Sequence, residues 1–160
     1  MAASEGSGEV VAMQPERYRL RPALREELEA LYAIHFEAMG SYVIATWRRW
    51  DHAEQRTMFA ERWPDSRQAI EVGGELAGLL DVEEDESKIF IANLEVHPKF
   101  QGRRIGTTIV TDLQRRAAER AIPVELQVLR VNPARGLYER LGFVISGETE
   151  THYQMVWRPA

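Results

Sequence analysis

The spacing of hydrophobic positions changes along the chain, and each change marks an element. Tyr18-Arg19-Leu20-Arg21 alternates apolar and polar side chains and predicts a first strand, broken by Pro22. Leu24, Leu28 and Leu31, with His35 on the same face, recur at helical spacing and predict a helix to about Met39. Ser41 to Trp63 carries Tyr42, Trp47, Trp50, Phe59 and Trp63 in a mixed pattern that predicts a second helix or two short ones, closed by Pro64. From Gln68 the period drops to two through Ala69, Ile70 and Val72, then Leu76, Leu79, Leu80 and Val82, with Gly73-Gly74 as a hairpin turn. The acidic turn Glu83 to Glu86 leads to Ile89–Val96, the third strand of an antiparallel meander, stopped by Pro98.

From Gly106 the helical period returns. Ile109, Val110, Leu113 and Ala117 form an apolar stripe opposite Arg115, Arg116, Glu119 and Arg120. Ile122-Pro123 opens a strand from Val124 to Val128, which a right-handed crossover makes parallel to its neighbour. Asn132, Pro133 and Gly142 suit the N-cap, the first turn and the position after the end of one more helix. Phe143-Val144-Ile145 and Tyr153 to Trp157 are two strands that can pair as a closing hairpin. The fold class is α/β in the α+β sense: a mixed, mostly antiparallel sheet flanked by helices.

Composition narrows the function classes. A chain of 160 residues that is 44% hydrophobic suits one domain with a real core, here assigned to residues 17–160, with residues 1–16 as a disordered polar tail. Absence of cysteine excludes disulfides and thiolate nucleophiles, and four scattered histidines give no metal-binding spacing, so no metal is expected. No apolar run reaches membrane-spanning length and the first residues lack a basic start, so the expected location is cytoplasmic, without a membrane partner. A formal charge of −5 argues against nucleic acid as a partner and suits a cationic substrate; a monomer or homodimer is expected.

The most informative stretch joins the strand Ile89–Val96 to the helix that follows. Gln101-Gly102-Arg103-Arg104-Ile105-Gly106 lies between them, where consecutive backbone N–H groups at a helix start converge on one anion, phosphate being the natural guest. Val96-His97-Pro98 followed by Gln101 to Gly106 resembles the acetyl-CoA loop of the GNAT superfamily of N-acetyltransferases. Asn132 through Leu137-Tyr138 to Gly142-Phe143 resembles that family's second motif, with the short six-residue Asn-to-Tyr spacing. The resemblance spans roughly Tyr18 to Arg158. It departs at Arg104, where the family usually has a glycine: either Arg104 takes a positive φ at roughly 1–2 kcal/mol of strain, or its guanidinium approaches the phosphates.

The resemblance implies a GNAT-like fold and transfer of an acetyl group from the co-substrate acetyl-CoA to a primary amine of a small molecule, by direct attack. It implies a cofactor site at Leu94, Val96, Gln101, Gly102, Arg103, Arg104, Ile105, Gly106, Thr107, Asn132 and Arg135. Asn132 would bond the pantetheine arm, a backbone N–H near Val96 would meet the oxyanion, and the Tyr138 hydroxyl would protonate the departing thiolate. An amine of lysine-like pKa, about 10.4, is neutral to less than about one part in a thousand at pH 7, so a base is needed. Glu95 is the candidate, against the competing reading of an ordinary strand glutamate; His97, Glu125 and His152 are weaker options. Gln127 stands on the strand where some relatives carry a catalytic Glu, which removes one rival. Trp47, Trp50 and His35 are candidate substrate-binding residues, with core packing as the alternative for each. Two other functions compete: a catalytically silent CoA-binding or regulatory domain of this fold, and an acetyltransferase for protein N-termini or lysines. A Rossmann-type nucleotide domain is disfavoured, because its glycine-rich turn after an early strand is missing.

Overall fold

In the computed structural model, which describes residues 17–160, a seven-stranded sheet carries helices on both faces. The strands are β1 (Arg19–Pro22), β2 (Gln68–Val72), β3 (Glu75–Glu84), β4 (Ile89–Val96), β5 (Val124–Leu129), β6 (Val144–Glu148) and β7 (His152–Trp157). The helices are α1 (Leu28–Trp47), α2 (His52–Glu61), α3 (Ile105–Glu119) and α4 (Ala134–Arg140), with single 3-10 turns at Arg25–Glu27 and Pro98–Phe100. The order across the sheet is β1-β2-β3-β4-β5-β7-β6; only β4 and β5 run parallel. The expected tail, residues 1–16, lies outside the described residues. Among those described, no helix is long and apolar enough to cross a membrane.

Several boundaries differ from the sequence reading, among them the acidic turn expected from Glu83, which starts only after β3 ends at Glu84. The first helix does not stop near Met39 but runs to Trp47, because Gly40 is buried beneath Phe36, where a Cβ would come within 2.9 Å of the ring. It ends at Arg48, a left-handed residue (φ 69°). The stretch Ser41 to Trp63 therefore adds one helix, α2, capped by the Asp51 carboxylate accepting from the Glu54 N–H. Pro22 ends β1 from within, which an edge strand tolerates.

Helix α3 buries Ile105, Ile109, Val110, Leu113 and Ala117 against one face of the sheet, beside Leu80, Ile89, Ile91 and Leu126. Each fully buried aliphatic of this kind contributes about 1.5–3 kcal/mol. The other face carries a smaller core of Leu31, Tyr32, Ile34, Phe59 and Leu79 beneath α1 and α2.

Two irregularities of β4 prepare the site. Asp81 pairs with Asn93 while Val82 pairs with Ile91, so Ala92 is an extra residue, a β-bulge. Side chains alternate between faces, so without the bulge Asn93 and Glu95 would share the buried α3 face with Ile89 and Ile91. The bulge turns them to the α1–α2 face, opposite Asp81 and Leu79, and leaves Leu94 and Val96 toward the α3 side. The second irregularity is a splay: β4 pairs with β5 only from Ile89 to Ile91, and from there the two strands part.

Candidate active site

The splay exposes backbone donors. The His97 N–H bonds the Ala77 carbonyl across β3 at 2.8 Å, so by alternation along an antiparallel strand the N–H groups of Leu94 and Val96 point away from β3, into the opening. Gln101 fixes the following turn by donating its Nε2 to the Val96 carbonyl at 2.8 Å. Gly102 (φ 77°) and Arg104 (φ 64°) both take left-handed conformations, so of the two readings at Arg104 the positive φ is the one observed, at a residue that borders the cleft. Helix α3 starts at Ile105. Its first paired amide is that of Thr108, which bonds the Arg104 carbonyl at 3.0 Å, helped by its own hydroxyl at 2.8 Å. The amides of Gly102, Arg104, Ile105, Gly106 and Thr107 make no hydrogen bond among the described residues, the donor set an anion requires.

These donors edge a cleft of about 410 Å³ between β4, α3 and α4. Leu94, Val96, Gln101, Gly102, Arg104, Ile105, Gly106, Thr107, Asn132 and Tyr138 all line it. The Asn132 side-chain carbonyl accepts from the Ala134 N–H at 2.9 Å, capping α4 and leaving its amide nitrogen to the cleft. Tyr138 is buried, with its ring edge-on to Phe143 and its hydroxyl in no hydrogen bond among the described residues. Burial pushes its phenol up to about 12, so it holds its proton at neutral pH.

Two expected cofactor residues stand apart from the lining. Arg135 bonds Glu139 at 3.1 Å and lies over the Tyr153 ring, while Arg103 lies over the Phe100 ring. Arg140 borders the cleft in place of Arg135. Gly136, one turn before it, leaves room for the guanidinium, a spacing visible in the sequence. Met39 and Tyr42 of α1 close the cleft from the far side, a contribution hidden by ending that helix too early.

A second cavity, about 470 Å³, lies on the α1–α2 face, walled by Val43, Trp47, Met58 and Phe59 and bordered by His35, Arg62, Arg67 and Asn93. Glu95 is the one residue that lines both spaces, so it stands between cleft and cavity. It is 5% exposed, and its Oε1 lies 2.8 Å from Nδ1 of His35. A carboxylate only accepts, so in this contact Nδ1 is the donor. His35 is stacked on Phe59 with ring centres 5.2 Å apart and flanked by Trp50 at 5.6 Å. Trp47 is half exposed at the cavity wall, whereas Trp50 stands behind it, giving its indole N–H to the Tyr32 hydroxyl at 3.1 Å. The other bases considered are engaged elsewhere: His97 with the Lys99 amide, Glu125 with Lys88, and His152 with Thr151.

The sequence model of the acetyltransferase (GNAT) family matches residues 23–143. The fold is similar to that of PaiA N-acetyltransferase from Thermoplasma acidophilum in complex with coenzyme A (TM-score 0.70, 15% identity, 89% of this chain and 99% of that one). It is similar to the ribosomal-protein-S18-alanine N-acetyltransferase from Escherichia coli (TM-score 0.65, 18% identity, 90% and 95%). An acetyltransferase from Thermus thermophilus is also similar (TM-score 0.69, 17% identity, 91% and 99%). Among curated proteins no sequence relative matches. The chain belongs to the GNAT acetyltransferase family. It is an acyltransferase, and acetyl-CoA is its donor.

Proposed function

We propose that the protein acetylates the primary amine of a small molecule, with acetyl-CoA in the cleft and the amine in the cavity. The observation that carries this reading is the position of Glu95, the one residue that lines both spaces. Acetyl-CoA, bound by the turn Gln101–Thr107 and by Asn132, supplies an acyl group activated as a thioester and a thiol leaving group. The free amides at the start of α3 suit its pyrophosphate, and the splay-facing N–H groups of Leu94 and Val96 suit carbonyl oxygens of the arm and of the reacting acyl group.

Glu95 accepts the proton that the incoming amine must lose, directly or through one water. His35 borders only the cavity and fixes the carboxylate through its Nδ1–H; it is a positioning residue. Tyr138 holds its proton at neutral pH and gives it to the departing sulfur, so one proton leaves nitrogen and one reaches the thiolate. No covalent enzyme intermediate is needed, since the chain has no cysteine.

The test is a screen of small primary amines, diamines and peptide N-termini with acetyl-CoA, following free thiol. Thiol release restricted to small amines supports the reading. Release with peptides alone would move the acceptor to protein N-termini, and tight CoA binding with no release would indicate a silent domain.

A further inference from the structure

Asp81 stands in the apolar run Leu79-Leu80-Asp81-Val82 of an interior strand and is 1% exposed. Arg67, just ahead of β2, grips both of its carboxylate oxygens with Nε and Nη2 at 2.9 and 2.7 Å. Phe59 and Trp63 lie over the guanidinium, 4.6 and 5.0 Å from their ring centres, and Arg67 is buried beneath them, so its charge is spent on Asp81 and not offered to a ligand. A buried ion pair of this kind seldom stabilises a fold more than apolar side chains of similar volume would. Its use lies in what else it touches.

The third member of the group is Asn93, which faces Asp81 across the β3–β4 register and donates Nδ2 to its Oδ2 at 2.8 Å. A carboxylate only accepts, so the contact fixes which way round the amide stands: its nitrogen is turned to Asp81 and its carbonyl oxygen Oδ1 is left over. Oδ1 makes no hydrogen bond among the described residues. Asn93 is exposed and borders the acceptor cavity, on the same face of β4 as Glu95 and two residues before it. Alternate residues of a strand stand about 6.5–7 Å apart at the backbone. One nitrogen bonded to two oxygens at about 2.9 Å each holds them up to about 6 Å apart, so a single amine can serve both side chains.

We propose that Asn93 binds the acceptor's amine alongside Glu95, with Arg67 and Asp81 as positioning residues behind it, and that this arrangement selects primary over secondary amines. A neutral primary amine has two N–H groups. As the nitrogen attacks, its lone pair goes to the acyl carbon, one N–H proton passes to Glu95, and the other N–H is held by Oδ1 of Asn93. A secondary amine has a single N–H, which goes to Glu95, and its second carbon meets the Asn93 carbonyl instead. Val43, Trp47, Met58 and Phe59 wall the same cavity and suit an apolar group beyond the amine. The assignment rests on the transferase reading above and names the acceptor class that its site selects.

The experiment compares benzylamine, phenethylamine and hexylamine with their N-methyl derivatives, each with acetyl-CoA and thiol detection. Efficiency is corrected for the fraction of free amine at the assay pH. Wild type is expected to favour each primary amine by about tenfold or more. Asn93→Ala, at an exposed strand position, should lower kcat/KM for the primary amines roughly three- to tenfold and leave the N-methyl amines within about twofold, so the ratio narrows. CoA affinity, read by calorimetry, should stay at the wild-type value, because Asn93 does not border the cleft. Arg67→Met together with Asp81→Leu replaces the buried pair by apolar side chains, frees the Asn93 amide to rotate and should narrow the ratio in the same direction. An equal loss for both amine classes in Asn93→Ala, or no loss for either, overturns the proposal, while thiol release leaves the transferase reading standing. No thiol release with any amine, although CoA binds, overturns both. If the double variant fails to fold, Asn93→Ala decides.

Discussion

Nδ1 of His35 and Oε1 of Glu95 meet at 2.8 Å although sixty positions separate them in the chain. The contact joins α1 to the bulged end of β4 and gives the buried carboxylate its only side-chain partner among the described residues. If Glu95 is the base, Glu95→Gln should lower kcat/KM about 10²–10⁴-fold. His35→Gln, which only loosens the carboxylate, should cost less, about tenfold, and chiefly in kcat. A base works unprotonated, so efficiency rises with pH, but ionisation of the free amine gives the same limb. Two acceptors of different amine pKa separate them. A limb that follows the acceptor alike in wild type and Glu95→Gln, at equal rates, leaves Glu95 as an ordinary strand residue.

Tyr138→Phe keeps the ring in its contact with Phe143 and removes only the hydroxyl. CoA affinity should change little while turnover falls roughly 10- to 1000-fold. The raised phenol pKa adds a second readout. A group whose pKa is higher folded than unfolded stabilises the fold fully below its unfolded value, here near 10, and loses that contribution as pH rises through about 12. Tyr138→Phe should therefore flatten this part of the alkaline loss of stability, measured by denaturant unfolding between those two pH values. Unchanged turnover with chemistry rate-limiting would falsify the donor role.

At the turn, Gly106→Asp places a carboxylate among the free amides and should weaken CoA binding at least tenfold in a folded protein, measured by calorimetry. Arg104→Gly relieves the left-handed strain, so stability should rise by roughly 1 kcal/mol. The residue borders the cleft, and if its guanidinium meets the phosphates CoA affinity should fall several-fold in the same variant. Affinity that rises together with stability means that the guanidinium makes no contact with the cofactor.

What the sequence showed and hid follows from the range of the interactions. Helix α3, its turn and the Asn132 cap were legible because their signals are local: a helical stripe, glycines at a strand–helix junction, an Asx residue ahead of a proline. Gly40 misled because a helix-breaking residue gives no sign that a ring four residues earlier needs the space. The Ala92 bulge leaves no trace in Ile89 to Val96, since only the register against β3 reveals the extra residue. Glu95 was therefore picked for its place before the turn, without the bulge that aims it. Asp81 within the apolar run of β3 was a readable signal of a buried partner, but nothing local names Arg67. The closing hairpin was legible, but not that β7 slots between β5 and β6.

Gly78 carries the last prediction. It pairs with Val96, and a Cβ there would lie 2.1 Å from the Glu95 carbonyl oxygen and 3.2 Å from the end of Ile70. A side-chain tip can swing aside, but a carbonyl inside a central ladder moves only with its strand. Gly78→Ala should therefore push β3 and β4 apart at the residue that divides the two pockets, costing roughly 2–4 kcal/mol by denaturant unfolding. The displacement acts on Glu95 and on the splay-facing amides of Leu94 and Val96 together. Protein that remains folded should accordingly lose turnover at least tenfold, since misplacing catalytic groups by an ångström is costly. Gly73→Ala in the β2–β3 turn is the control: its Cβ meets nothing within 4 Å, so only the positive φ resists it, and activity per folded molecule should stay near wild type. Equal activity losses in the two variants would show that Gly78 acts through general stability rather than through the position of Glu95.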